Sequence, residues 1–499
     1  MMTYQTEDGQ LYIRTSRRDQ LESMVVFAKR PQPDIRVTTG IMGSRLHEAT
    51  TQQPNESPNR EDEANHGCAD IMGQFSILDA YTQVAFGFEL SPDVDREAIV
   101  SALQAGLDRL IEQIPWLGWQ VGQRSSFRTV IPWPQGVPRE LVRVKYCDDT
   151  VESMAQLLAA GAPISKLDGR VLAPWPGIPQ HHGITGPVPV IALQANFVQA
   201  GLILTLSTHH TVMDATATFQ FVKLFTTVLR GDEIPATDLQ QANRDRSRVI
   251  DLIPAGEPLK DHSHLRRPPG HHLVPPASPL TWCYFKMPVS LLTRLVRMAR
   301  DPTRRVTDED VLHAFYWQRL CAVRLARGMP ADTVSAVSRA IDGRMALGIP
   351  SSYMGSLVCT AITRLPMGKV VSLNLQQTAQ LLRRDYAQAN TPWAMRSYAT
   401  FIARERDRRN LMYTATVNCN TDVGITSGLH SNQTMAPPWG PLLGACSWRR
   451  RLLGPPIPGS MNVHPAEGDA IPLLVSLPQD DLEALKQDAM WRQYTKCIG

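Results

Sequence analysis

The sequence predicts an α/β protein made of two domains of similar build. Three observations predict it. Segments with strand and helix patterning alternate in both halves of the chain. At 499 residues the chain is too long for one ordinary core. Between Leu239 and Pro279 the patterning gives way to a stretch rich in Pro, His and Arg, too long for an ordinary connection, which reads as a crossover between domains. Residues 1–70 are therefore expected to be a disordered leader, 71–240 a first domain, 241–279 the crossover, and 280–499 a second domain.

The leader is assigned because "PQPDIRVTTG" and "EATTQQPNESPNREDEANHG" are polar, proline-bearing and without period. Order is expected near "FSILDAYTQVAFGFEL" (Phe75–Leu90). Ile99, Leu103, Leu107, Leu110 and Ile114 then recur at helical spacing, with Asp93 or Asp95 as cap and Pro115 as stop. "PVIALQANFVQAGLILTLSTHH" reads as two strands joined at Val198–Gly201. A helix follows from about Ala215 to Arg230, burying Phe221, Phe225, Val228 and Leu229 and ending at Gly231. The second half restarts with the strand "TWCYFKMP" and a helix opened by a capping box of Thr307 with Asp310. Strand-like "DTVSAVSRAID", a helix near Thr378–Ala389, strand-like "MYTATVNC", and a last strand and helix complete the order.

Composition narrows the function. Apolar residues at 43% and charged residues at 20% describe a soluble globular chain. A net charge of +4 with no basic stripe argues against nucleic-acid binding. The eight cysteines form no CxxC pair, which gives no zinc-ribbon or redox motif and fits reduced thiols. His262, His264, His271 and His272 crowd the crossover without the regular spacing of a metal site, and no metal is expected. The longest early apolar run, Met24–Ala28, is too short for a membrane span or a signal sequence, so a cytoplasmic location and no membrane partner are expected.

The chemistry-bearing stretch is "LSTHHTVMDATATFQFVKLF" (Leu206–Phe225). It places His209, His210 and Asp214 where a strand turns into a helix, a position that presents side chains without opening the core. A neutral imidazole is a natural general base near neutral pH. Asp214 can steady an imidazole directly, or tie the turn down by pairing with an arginine elsewhere. Adjacent histidines can also cap backbone groups, and Asp214 can simply cap the helix; spacing does not choose. No GxSxG elbow, P-loop, GxGxxG turn or HExxH is present.

Read with its neighbours, "HHTVMDA" resembles the HxxxD signature of the BAHD acyltransferase superfamily, in its fungal trichothecene 3-O-acetyltransferase-like branch. "FSILDAYTQVAFGFEL" resembles the opening LSxLD segment, and "IPWLGWQVG" the end of the first helix. "AIDGRMALGIPSSYMGSLV" (Ala340–Val358) resembles DxR…L…P…YxGN, and "ITSG…PPWGPLLG" (Ile425–Gly444) resembles ITSW…DFGxxLG. "LLVSLPQDDLEALKQDAMW" resembles the last strand and helix. The likeness runs from Phe75 to Gly499 in the family's order.

The resemblance implies two chloramphenicol-acetyltransferase-like domains, each a mixed sheet with flanking helices, with a channel between them. It implies a monomer that binds no permanent cofactor, taking acyl-CoA (acetyl-CoA above all) as co-substrate and a small-molecule alcohol as acceptor. His210 matches the general base, Asp214 the residue paired with an arginine, here Arg344, and Thr426 the oxyanion donor; His209, Trp439 and Gly440 support the site. The reaction so implied is direct O-acylation of a fungal secondary metabolite. Arg449, Arg450 and Arg451 are candidates for CoA phosphate contacts, although such a run is often a solvated face. Departures from the pattern are Gly428 for the tryptophan of TSW, Pro438 and Trp439 for the first two residues of DFG, Ser356 for the asparagine of YxGN, and Ala215 after the motif aspartate. Two other functions stay open: a condensation or cyclisation catalyst of the same fold, and a non-catalytic binding protein.

Overall fold

The computed structural model describes residues 2–5, 11–14, 67–124, 127–177, 187–267, 274–301, 305–413, 418–431 and 438–499. Residues 1–57 are a separate unit, in which Met2–Gln5 pairs antiparallel with Leu11–Arg14. Residues Pro58–Gly499 form the second unit, which carries the two main sheets.

Two mixed sheets dominate it. The first runs in the order Trp448–Arg450, Tyr81–Glu89, Gly201–His209, Ile191–Val198, Val142–Tyr146, and only its last pair is parallel. The second has seven strands, in the order Val358–Pro366, Val334–Asp342, Val423–Ser427, Ser460–Val463, Ala470–Pro478, Leu280–Pro288, Lys496–Cys497. Val423–Ser427 is parallel to both of its neighbours, and the remaining pairs are antiparallel. A small sheet of Gly67–Cys68, Phe127–Ile131 and Gln120–Arg124 stands beside the first.

The local signals act as their chemistry requires. Asp95 Oδ1 accepts from the backbone N–H of Glu97 and Ala98 and starts the helix Arg96–Gln113, which Pro115 follows with a 3-10 turn. The hairpin Ile191–Val198/Gly201–His209 closes through two residues, with Ala200 at φ +56°. Both strands are buried along their whole length, so the hairpin is covered on two faces. The helix Ala215–Leu229 packs Phe221 and Phe225 into the core shared with Leu103, Leu107 and Leu110. In the second half, Thr307 and Asp310 exchange capping bonds at the head of the helix Asp308–Ala326.

Parts of the structure differ from the sequence expectation. The helix Pro392–Arg404, capped by Thr391 with Pro392 in its first turn, was not anticipated. It organises the crossover: Ile253 N–H donates to Thr400 Oγ1 and Lys260 N–H to Ser397 Oγ, each at 2.8 Å, so backbone with no pattern of its own is satisfied from outside. His262 meets Ser397 Oγ at 3.1 Å and packs on Tyr398 and Phe401; His271 and His272 lie outside the described residues, as does 414–417 of the strand-like "MYTATVNC". A further difference is that the chain's second half supplies part of the first lobe. The strand Trp448–Arg450 pairs with Tyr81–Glu89, and Trp439 and Leu443 enter the core beneath that sheet.

Candidate active site

The strand Gly201–His209 ends opposite Tyr81, and the next five residues form a turn held from several sides. His210 N–H donates to Ala80 O at 2.9 Å, and Val212 and Met213 N–H donate to His209 O at 3.0 Å. Thr211 Oγ1 donates to Leu78 O at 3.1 Å. A Cβ on Gly73 would lie 2.1 Å from Thr211 O, so only glycine lets the chain pass the turn this closely. Arg246 of the crossover donates to Val212 O at 2.9 Å and to the buried Asp70 at 2.7 Å, and its guanidinium lies 4.3 Å over the Trp116 ring. Asp70 also accepts from Tyr353 Oη and Ser356 N–H.

Asp214 ends the turn and caps the following helix, with Oδ1 accepting from Ala217 N–H at 2.9 Å. Its carboxylate also meets Arg344 in a bidentate pair, Nη1 to Oδ2 at 2.8 Å and Nη2 to Oδ1 at 3.0 Å, while Leu357 N–H donates to Oδ2 at 2.9 Å. Arg344 spends its other protons on Tyr353 O, Gly355 O and Asp342. Both side chains are buried, and every polar atom of the carboxylate is engaged. Geometry thus separates roles that spacing left open: Asp214 turns toward the second lobe.

The two histidines differ. His209 is buried, with Nε2 3.5 Å from Asp79 and its ring edge-on to Tyr81 at 5.2 Å. Burial pushes its pKa down to about 4; the nearby Asp79 carboxylate opposes this, and Arg128 and His210 add to it. The imidazole therefore stays neutral in the folded chain down to about pH 4, and between there and about pH 6.5 it takes up a proton on unfolding. Its contribution to stability is whole above about pH 6.5 and is lost as pH falls toward about 4, up to about 3 kcal/mol. His209→Gln is expected to flatten denaturation free energy against pH across that interval; an unchanged slope rejects the assignment. His210 keeps partial solvent access, although protein surrounds it and its Nδ1 is buried. Burial lowers its pKa as well, its own backbone and Asp214 raise it, and Arg451 lowers it.

Arg451 arrives from the second half of the chain, just past the strand inserted in the first sheet. Its N–H donates to Tyr284 Oη at 2.8 Å and its Nη1 to Asn462 Oδ1 at 3.1 Å. Asn462 lies opposite Thr426 in the parallel pair Val423–Ser427/Ser460–Val463, and Thr426 Oγ1 donates to the same Oδ1 at 2.9 Å. Sheet register sets Thr426, Asn462, Leu474 and Tyr284 in one row. Tyr284 and Leu474 pack against Ile164 of the first lobe, so this face looks toward it.

Arg449 and Arg450 are buried and Arg451 is half-buried, so the run is not a solvated face. Arg450 Nη1 pairs with Glu467 at 2.7 Å, while its Nε and Nη2 donate to the carbonyls of Ala162 and Gly161 in the first lobe. Arg449 Nη2 donates to Ala466 O at 3.3 Å. A cavity of about 520 Å³ opens beside them, lined by Gly161, Lys286, Ser447, Arg449 and Glu467.

Trp439 lies in the first lobe's core, and Gly440 beside it abuts the end of the helix Ala215–Leu229. The Trp439 ring packs on Phe86 at 4.7 Å and on Phe88 at 5.3 Å. Gly440 has φ +85°, and a Cβ there would come 2.7 Å from Leu229 O. Gly440→Ala is therefore expected to cost about 1–3 kcal/mol in thermal or urea denaturation; a change within ±0.5 kcal/mol, the range of a neutral surface substitution, contradicts the strain argument. At Gly428 an added Cβ would meet only ordinary contacts, with Pro465 at 3.4 Å and Phe219 at 3.5 Å.

Asn462, Tyr284, Arg246 and Asp70 escaped the sequence reading. No helix among the described residues is long and apolar enough to cross a membrane.

The comparisons with known proteins agree with this architecture. A family model described as "Trichothecene 3-O-acetyltransferase-like N-terminal domain" matches residues 80–228, and one described as "Transferase family" matches 178–491. The chain is 37% identical over 452 residues to O-acetyltransferase SAT5 of Stachybotrys chartarum, covering 88% of this chain and 96% of the relative. It is 36% identical to O-acyltransferase pigD of Monascus ruber, covering 86% and 98%. Among solved structures it resembles TRI101 of F. graminearum complexed with coenzyme A and deoxynivalenol, at TM-score 0.80 and 25% identity, over 87% of this chain and 100% of that one. The chain therefore belongs to the transferase family of the BAHD superfamily, in its trichothecene 3-O-acetyltransferase-like branch, and is an acyltransferase.

Proposed function

We propose that the protein transfers an acyl group, acetyl above all, from acyl-CoA to a hydroxyl of a fungal secondary metabolite, by direct transfer with His210 as general base. The observation that carries this reading is the contrast within the motif. Asp214 is consumed by Arg344 and the helix N-terminus, whereas His210 keeps solvent access and a depressed pKa, hence a free base form at neutral pH. The buried Nδ1 leaves Nε2 as the nitrogen on the open side.

The acceptor hydroxyl gives its proton to Nε2 as its oxygen attacks the thioester carbonyl, and the tetrahedral oxyanion then collapses with departure of the CoA thiolate, which recovers the proton from His210. Neither a covalent acyl-enzyme nor a metal takes part. The protein is proposed to act as a monomer on two small molecules, acyl-CoA and the acceptor alcohol, in the cytoplasm. The arginine run supports the CoA end less directly. Arg450 is committed to Glu467, whereas Lys286 lines the cavity beside it and is a cation that could meet phosphate.

The test is release of free thiol from acetyl-CoA in the presence of terpenoid and polyketide alcohols, with mass spectrometry of the acceptor. Thiol release matched by an acceptor heavier by one acetyl group is expected. A condensed or cyclised product without thiol release would point to the condensation reading, and no product from any alcohol to simple binding.

A further inference from the structure

The oxyanion needs a hydrogen-bond donor, and the family resemblance assigns it to Thr426. The hydrogen bonds around that residue point elsewhere. A guanidinium only donates, so the Asn462 atom 3.1 Å from Arg451 Nη1 has to be the amide oxygen, and the orientation of the amide is thereby fixed. Thr426 Oγ1 lies 2.9 Å from the same oxygen, which can only accept, so the single hydroxyl proton of Thr426 is spent there. The two Nδ2 protons of Asn462 face the other way, and among the described residues no hydrogen bond to them is seen.

Arg451 strengthens the argument. No carboxylate pairs with it among the described residues, unlike Arg450 beside it, which has Glu467. It is a half-buried cation whose charge is felt by His210 on one side and whose Nη1 holds Asn462 on the other. Such a placement favours negative charge forming between the two. Arg451 reaches this point only because the strand Trp448–Arg450 is inserted in the first lobe's sheet before the chain returns to Ser460–Val463.

We propose that the amide N–H of Asn462, oriented by Arg451 and Thr426, is the donor that meets the oxyanion, and that Arg451 and Thr426 are positioning residues. The inference rests on the acyl-transfer reading above. As the acceptor oxygen bonds to the carbonyl carbon, the carbonyl π pair moves to oxygen and is met by Asn462 Nδ2–H; the pair returns as the carbon–sulfur bond breaks. Loss of one such donor typically lowers kcat by about 10²–10³-fold. Asn462→Ala is expected to show that loss in kcat with little change in KM, and Thr426→Val a loss below about tenfold, a bound set by keeping the donor in place.

The deciding measurement needs no acceptor. Acetyl-CoA isotopically labelled at its carbonyl is bound to the full-length protein, and the thioester band is followed by difference infrared spectroscopy. In the unmodified protein and in Thr426→Val the band is expected to move to lower wavenumber than in free acetyl-CoA. In Asn462→Ala and in the isosteric Asn462→Asp, which offers no donor, it is expected to return to the free position while calorimetry still detects binding. The Asn462→Asp variant serves if the alanine variant fails to fold. A shift that survives both Asn462 substitutions, disappears in Thr426→Val, or is missing from the unmodified protein overturns the assignment to Asn462 and leaves acyl transfer standing. Failure of the unmodified protein to bind acetyl-CoA sinks both.

Discussion

His210→Ala is expected to lower kcat for acyl transfer by about 10²–10⁴-fold while leaving fold and acetyl-CoA affinity close to unchanged. The expectation follows from how the residue is held. His210 is fixed through its backbone N–H to Ala80 O, a bond that alanine retains, so the turn survives the loss of the ring. The ring itself is partly open to solvent, and no side-chain hydrogen bond of it to a described residue is seen. Removing it deletes a proton acceptor and little else. The acid limb of kcat/KM should lie below the ordinary imidazole value of 6.5, because burial holds the pKa of His210 down and Arg451 adds to it. The limb should be absent from the residual activity of His210→Ala. Thiol release from acetyl-CoA across a pH series checks both points. An alanine variant within tenfold of the parent in kcat would remove His210 from the reaction.

The second large effect is on stability. Asp214→Ala is expected to destabilise the protein by about 3–5 kcal/mol, because it leaves the Arg344 guanidinium buried without its carboxylate. The helix cap at Ala217 N–H and the bond from Leu357 N–H are lost with it. Activity should fall because the turn carrying His210 loses its anchor, so the loss should track the fraction unfolded and the loosening of the site rather than a missing proton transfer. Arg344→Lys is expected to rescue little, since an ammonium cannot match two carboxylate oxygens and three backbone and side-chain acceptors at once. Urea denaturation of both variants checks the size. A cost below 1 kcal/mol for Asp214→Ala would show that the pair is dispensable, as replacing a whole buried pair sometimes is.

Much of the fold was legible because its signals are local. The caps at Asp95 and Thr307, the two-residue hairpin ending at Gly201 and the helix after Asp214 depend on residues within a few positions of one another. The helix Pro392–Arg404 is the exception among local signals, since Thr391 and Pro392 are ordinary start residues for it. The crossover was legible as a connection by its length and composition, but its conformation was not. Its backbone is satisfied by Ser397 and Thr400, which stand more than a hundred residues away in sequence.

The site divides the same way. The sequence by itself determined that His209, His210 and Asp214 stand at a strand end before a helix, because alternation of apolar residues and a capping aspartate are written in neighbouring positions. Only tertiary structure decided that Asp214 faces Arg344, that Arg450 closes on Glu467 whereas Arg451 holds Asn462, and that Trp439 packs in the other lobe's core. The physical reason is that a charge or an amide takes its meaning from the partner that satisfies it. Here the partners are delivered by sheet register and by one strand that crosses between lobes, and neither can be counted along the chain.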